Sequence, residues 1–210
     1  MPGASCYLEA MSGNQRGQVH QALRSATAAA HHALDRHRLL GRLTGRDLTR
    51  EQYAETLAGM YRPHARLERW VHASRHHFES GLELSPRLAR LETDLVELGQ
   101  PVPPASQTPP DFADGRAAWW GRVYVLEGSR HGSAVIARCI RSSLGDSVPC
   151  RFFGEALIPG AFSALLATLA RELQDEDALA QAVAGAREAF ADYKAALDAF
   201  GCGKGAVEMR

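Results

Sequence analysis

The chain has 210 residues, 45% hydrophobic and 23% charged, which is close to the globular average and excludes a disordered or collagen-like chain. Its 24 basic and 24 acidic residues cancel, which argues against a general nucleic-acid binder, whose phosphate contacts need a cationic surplus. Cys6, Cys139, Cys150 and Cys202 form no CxxC pair and read as free thiols in a reducing compartment. No stretch approaches ~18 consecutive apolar residues, so no membrane-spanning helix is expected. The first residues lack a basic region followed by an apolar one, so residues 1–18 read as a flexible arm rather than a secretion signal, and the protein as cytoplasmic.

Good helix formers dominate and hairpin signals are missing, so the expected fold is all-α, a single domain over residues 19–200 with a flexible tail from 201 to 210. Val19, Leu23, Ala26, Ala30 and Leu34 make one apolar stripe and predict a first helix from Val19 to Arg36. Thr49 followed by Gln52 is a capping box that opens a second helix, with Tyr53, Leu57, Met60, Tyr61, His64 and Leu67 inward and a kink or break expected at Pro63. Ser85-Pro86 predicts the start of a third helix through Leu98. The proline-rich stretch from Gly99 to Pro110 reads as a surface connection or lid. A fourth helix is expected from Asp111 or Asp114 to about Leu144, almost wholly apolar in its first half and therefore central. Two more are expected, from Gly160 to Leu173 and from Asp175 to Phe200.

Two features could carry chemistry. With Leu23 as zero on a helical wheel, His31 falls at about 80°, on the shoulder of the apolar stripe, whereas His32 falls at about 180° and meets solvent. Arg24 and Thr27 share the flank of His31. An imidazole there can ligate a metal or haem iron, or simply hydrogen-bond a carbonyl at the edge of the core. Gly121, Gly128 and Gly132 cluster on one side of the apolar fourth helix. Each costs ~1 kcal/mol against alanine, so the bare strip implies a close-approaching group such as a flat ligand, a kink in the helix, or tight helix packing through small residues. The di-iron helical bundles use Glu-x-x-His pairs, and the chain contains none.

Two segments together resemble the haem oxygenase family, in its bacterial, bacteriophytochrome-associated branch. LRSATAAAHHALD (residues 23–35) is similar to the family's leucine–basic–x–Ala-Thr segment with its histidine, and YVLEGSRHGSAVIAR (residues 124–138) is similar to its distal-helix signature. The intervening EQYAETLAGMYRPHARLE resembles the family's second helix. The resemblance implies a helical bundle with haem between a proximal N-terminal helix and a kinked distal helix. It implies His31 as the iron ligand, Arg24, Thr27, Tyr124, Ser129 and His131 as haem-binding residues, and Gly128, Gly132 and Ser133 as the distal catalytic segment. Haem is then both substrate and cofactor, and biliverdin, CO and ferrous iron are the products. Electrons come from an external ferredoxin or reductase, and a bacteriophytochrome is the acceptor that the branch suggests.

The sequence also departs from the branch. Arg130, His131, Ser133 and Ala134 stand where it usually has Thr, Leu, Gly and Gln, and FFGEALIPGAFSALLATL lacks its Tyr-Gly and Trp. A haem-binding protein of the same fold without turnover, with His131 as a second axial ligand, is the alternative these substitutions raise. A non-haem iron oxidase is a third reading.

Overall fold

The computed structural model describes the backbone of residues 4–78, 84–104 and 115–205, and the side chains of 15–74, 84–104 and 115–201. Among the described residues there are eight α-helices, one 3-10 turn and no strand. In chain order they are α1 (Ala4–Asp35), α2 (Arg38–Gly41), a 3-10 turn (Arg42–Thr44), α3 (Arg50–Phe78), α4 (Leu88–Glu97), α5 (Arg116–Gly128), α6 (Arg130–Leu144), α7 (Ala161–Glu172) and α8 (Glu176–Gly205). None is long and apolar enough to cross a membrane.

The local signals explain most boundaries. The expected capping box closes reciprocally at α3: Gln52 N donates to Thr49 Oγ1 at 3.2 Å, and Thr49 N to Gln52 Oε1 at 3.1 Å. Helix α3 runs through Pro63 without interruption. Helix α6 ends at Gly145, whose φ of 88° suits a residue without a Cβ. Helix α1 starts upstream of Val19, at Ala4. Two expectations are corrected. The third helix starts at Leu88 and not at Pro86, because its first amides are capped from α3 by Glu68 and not by Ser85. The fourth helix is two, α5 and α6, separated at Ser129. Its expected start at Asp111 or Asp114 lies outside the described residues.

The buried residues form two clusters. One gathers Leu39, Tyr53, Leu57, Leu91, Leu95, Ile140 and Phe152 between α2, α3, α4 and α6. The other is centred on α5, where Trp119, Trp120 and Val123 are fully buried against α1, α7 and α8. Helices α5 and α8 meet backbone to backbone. A methyl group on Gly121 would lie 1.8 Å from Ala182 O, and one on Gly185 would lie 2.2 Å from Ala118 O. Gly121 is therefore a packing glycine. Gly132 has no atom within 4 Å of such a methyl, and Gly128 has only the edge of Phe162 at 3.9 Å. The strip expected from the sequence thus divides: its first member holds the bundle together, and the other two leave backbone bare.

Candidate functional site

Helix α1 presents His20, Arg24, Thr27 and His31 at successive turns, a spacing that puts them along one side. Thr27 is buried and its hydroxyl donates to Leu23 O at 2.8 Å, which spends its polar group on its own helix. His31 is open, with 62% of its side chain exposed, more than a position on the edge of the core implies. Its Nδ1 stands 2.9 Å from Asp35 Oδ2, and its ring lies 6.1 Å from Phe190 of α8. An Nδ1 proton given to Asp35 leaves Nε2 with a free lone pair, the arrangement that orients and strengthens an imidazole as a ligand.

The second group surrounds the junction of α5 and α6. The ring of Phe162, at the start of α7, lies 4.4 Å from His131, 5.8 Å from His20 and 6.2 Å from Tyr124. Burial, with Arg24 and His131 adding positive charge nearby, pushes the His20 pKa down, so that ring is neutral at neutral pH. Burial likewise raises the Tyr124 phenol, so it is protonated. A cavity of about 740 Å³ opens beside this group, walled by Arg16, Arg87, Glu127, Arg130, His131, Ser133 and the segment 155–166. That volume is within the range of small-molecule sites.

Behind the junction lies a buried polar chain. Glu68 on α3 takes a hydrogen bond from the backbone N of Arg87 at 2.7 Å and from that of Leu88 at 2.9 Å, and its Oε2 lies 3.1 Å from His64 Nε2. Burial opposes its ionisation, but His64 and the two amides outweigh that and bring its pKa to about 2. His64 is itself pushed down by burial. The Arg87 guanidinium, 1% exposed as a residue, donates to Ser129 Oγ at 2.6 Å and Ser133 Oγ at 3.4 Å and lies 4.8 Å over Phe152. Burial and the neighbouring Arg130 lower its pKa to about 10, which leaves it charged at neutral pH.

The structure thus brings Tyr124, Gly128, Ser129, His131, Gly132 and Ser133 to one junction, and places Arg24, Thr27 and His31 on α1. His131 and Ser133 wall the cavity, whereas Arg24, Thr27 and His31 do not. His20 and Phe162 are the link between the two groups, and neither stood out in the sequence. Asp35 was readable as the i+4 neighbour of His31. Arg87 was not, because only tertiary packing buries it. Among the described residues no three His, Cys, Asp or Glu side chains converge as a metal site.

Comparison with known proteins bears on this arrangement. A family model described as heme oxygenase matches residues 18–101. In fold, the chain is similar to the NO- and CO-bound heme oxygenase of Neisseria meningitidis (TM-score 0.67, 24% identity, 87% of this chain and 92% of that one). It is also similar to the heme oxygenase of Leptospira interrogans (TM-score 0.65, 15% identity, 85% and 98%) and to heme oxygenase-1 of Synechocystis in complex with heme (TM-score 0.60, 16% identity, 93% and 96%). A curated heme oxygenase of Xanthomonas campestris is 37% identical over 122 residues, 57% of this chain and 72% of that protein. With that identity over most of the relative's length, the chain belongs to the haem oxygenase family.

Proposed function

We propose that this protein cleaves haem oxidatively to biliverdin, CO and ferrous iron, with His31 as the residue that would hold the iron and the bare backbone at Gly128 and Gly132 as the stretch that would face the bound haem. The observation that carries the reading is the His31–Asp35 pair: an exposed imidazole whose Nδ1 meets a carboxylate at 2.9 Å. The residues present fit such a ligand. A methyl on Gly132 would meet nothing within 4 Å, Val135 one turn on is 53% exposed, and α1 packs on α7 and α8 rather than closely on α6. When bound, haem supplies the iron at which dioxygen is reduced and the ring that is oxidised.

The chain's own contribution is to bind, orient and exclude. His31 fixes the iron side, with Asp35 holding its tautomer. Arg24 supplies a cation for the propionates. The bare backbone at Gly128 and Gly132 would leave room there for ordered water. Tyr124 adds a neutral phenol there. The ring of His131 stacks edge-on against Phe162, which supports turnover over a bis-histidine resting protein. Electrons come from an external ferredoxin or reductase, because no flavin or nicotinamide motif is present. A cytoplasmic setting is in keeping with the free thiols of Cys139 and Cys150, and a bacteriophytochrome is the suggested acceptor of the product.

The test is a haemin titration of the unaltered protein and of His31→Ala, followed by addition of reductant and oxygen. The reading expects a histidine-ligated spectrum that the variant loses, and conversion of haem to biliverdin by the unaltered protein. Haem that survives intact under conditions where a known haem oxygenase degrades it would overturn the activity. An unchanged axial spectrum in His31→Ala would overturn the ligand.

A further inference from the structure

A charged side chain stands almost fully buried behind the break between α5 and α6, and the reaction as described gives it nothing to do. Arg87 spans the break. One terminal nitrogen reaches Ser129 Oγ, at the junction itself, and the other reaches Ser133 Oγ, one turn into α6. Both hydroxyls are already committed to the backbone there. Ser129 Oγ donates to Leu126 O at 2.6 Å, and Ser133 Oγ donates to Ser129 O at 3.3 Å. Serine hydroxyls bonded back to carbonyls three and four residues earlier often bend helices, and each of these also accepts a hydrogen bond from the same guanidinium.

We propose that Arg87 is a positioning residue for the distal segment, clamping the α5–α6 break through Ser129 and Ser133 so that the backbone at Gly128 and Gly132 keeps its bare face. The proposal rests on the haem oxygenase reading for its consequence, though not for its geometry. The clamp has little slack. Arg87 is anchored at its own backbone N by Glu68, which is held in turn by His64, and its guanidinium is seated on Phe152, whose ring His64 meets edge-on at 4.8 Å. Buried guanidinium N–H groups that lose their acceptors bear the cost of unmade hydrogen bonds, so movement of either serine away from Arg87 is opposed.

The experiment is hydrogen–deuterium exchange on the full-length, haem-free protein, paired with haemin titration. The variants are Arg87→Met, Arg87→Lys and the double substitution Ser129→Ala with Ser133→Ala. The proposal expects exchange at residues 126–134 to rise roughly tenfold in Arg87→Met and in the double variant, with α8 unchanged, and haemin affinity to fall by a similar factor. Arg87→Lys is expected to fall between, because an ammonium cannot span both hydroxyls. Should Arg87→Met not fold, the double-serine variant decides, since it leaves Arg87 and its packing in place. Junction exchange unchanged in the double variant, or raised equally through the whole chain, overturns the clamp even if the unaltered protein degrades haem. Localised exchange in a protein that takes up no haemin keeps the clamp and overturns the haem reading instead.

Discussion

Nδ1 of His31 stands 2.9 Å from Asp35 Oδ2, one turn further along α1, although the two side chains are 62% and 57% exposed. A solvated pair of this kind contributes no more than about 1 kcal/mol to folding. Its consequence is orientation: the carboxylate selects which ring nitrogen carries the proton and turns the other outward. Asp35→Ala is therefore expected to leave the melting temperature nearly unchanged while weakening haemin binding by roughly 10- to 100-fold. Titration followed by Soret absorbance, with a thermal melt of the same sample, checks both halves. Full affinity in the variant would reduce Asp35 to an ordinary surface partner.

The two kinds of glycine on the α5–α6 segment predict opposite outcomes for the same substitution. Gly121→Ala drives a methyl to 1.8 Å from Ala182 O, and the neighbour is backbone that cannot swing aside. A loss of at least about 1–3 kcal/mol is expected, seen as a lower denaturation midpoint. Gly132→Ala meets open space within α6, so removal of a helical glycine is expected to stabilise by up to ~1 kcal/mol. Under the proposed function it also impairs haemin uptake. A Gly132→Ala protein that is more stable and binds haemin as before would show that nothing approaches this stretch of backbone.

That contrast shows what the sequence could and could not convey. Gly121, Gly128 and Gly132 lie on one side of a helix by spacing alone, and spacing does not say what faces them. Helix α8 is more than fifty residues further on, and Gly185, which completes the close approach, looks like an ordinary glycine in an alanine-rich helix. The capping box at Thr49 and the stop at Gly145 were legible because a helix end is decided within a few residues. The break at Ser129 was legible only as a suspected kink, since Arg87, whose guanidinium meets Ser129 and Ser133 across it, sits more than forty residues earlier, just before α4. The helical angle of His31 put it at the edge of the apolar stripe and its spacing put Asp35 one turn away, but the 62% exposure of its side chain needed the fold.

Asp94 tests whether the loop after α6 depends on one carboxylate. It is fully buried, and its two oxygens accept from the backbone N of Arg151 and of Phe152, each at 2.9 Å. Asp94→Ala strands two amides and loosens Phe152, the ring beneath Arg87 and beside His64. The expected cost is about 2–4 kcal/mol, read from urea denaturation. Asp94→Asn keeps one oxygen acceptor and is expected to lose less. Equal losses in the two variants would mean that side-chain volume, and not the acceptors, holds the loop.

The Glu68 carboxylate gives the fold a defined response to acid. Its pKa is held at about 2 in the folded chain against an ordinary value of 4.5, so above pH 4.5 its contribution is complete. As pH falls from there towards 2 the unfolded chain takes up the proton first, and stability declines across that window. His64, hydrogen-bonded to Glu68, responds to acid as well. Its pKa is lowered from 6.5 by burial, so the unfolded chain binds its proton first as pH falls below 6.5. Glu68→Gln is expected to be less stable at pH 7 by about 1–3 kcal/mol, because an amide nitrogen faces donors where an oxygen accepted them. Its stability should then change less than that of the unaltered protein between pH 4.5 and 2. Urea midpoints of both proteins at a series of pH values, taken as a difference, isolate this group from the other carboxylates. A difference that stays constant from pH 7 to 2 would mean that Glu68 holds the Arg87 and Leu88 amides no better ionised than neutral.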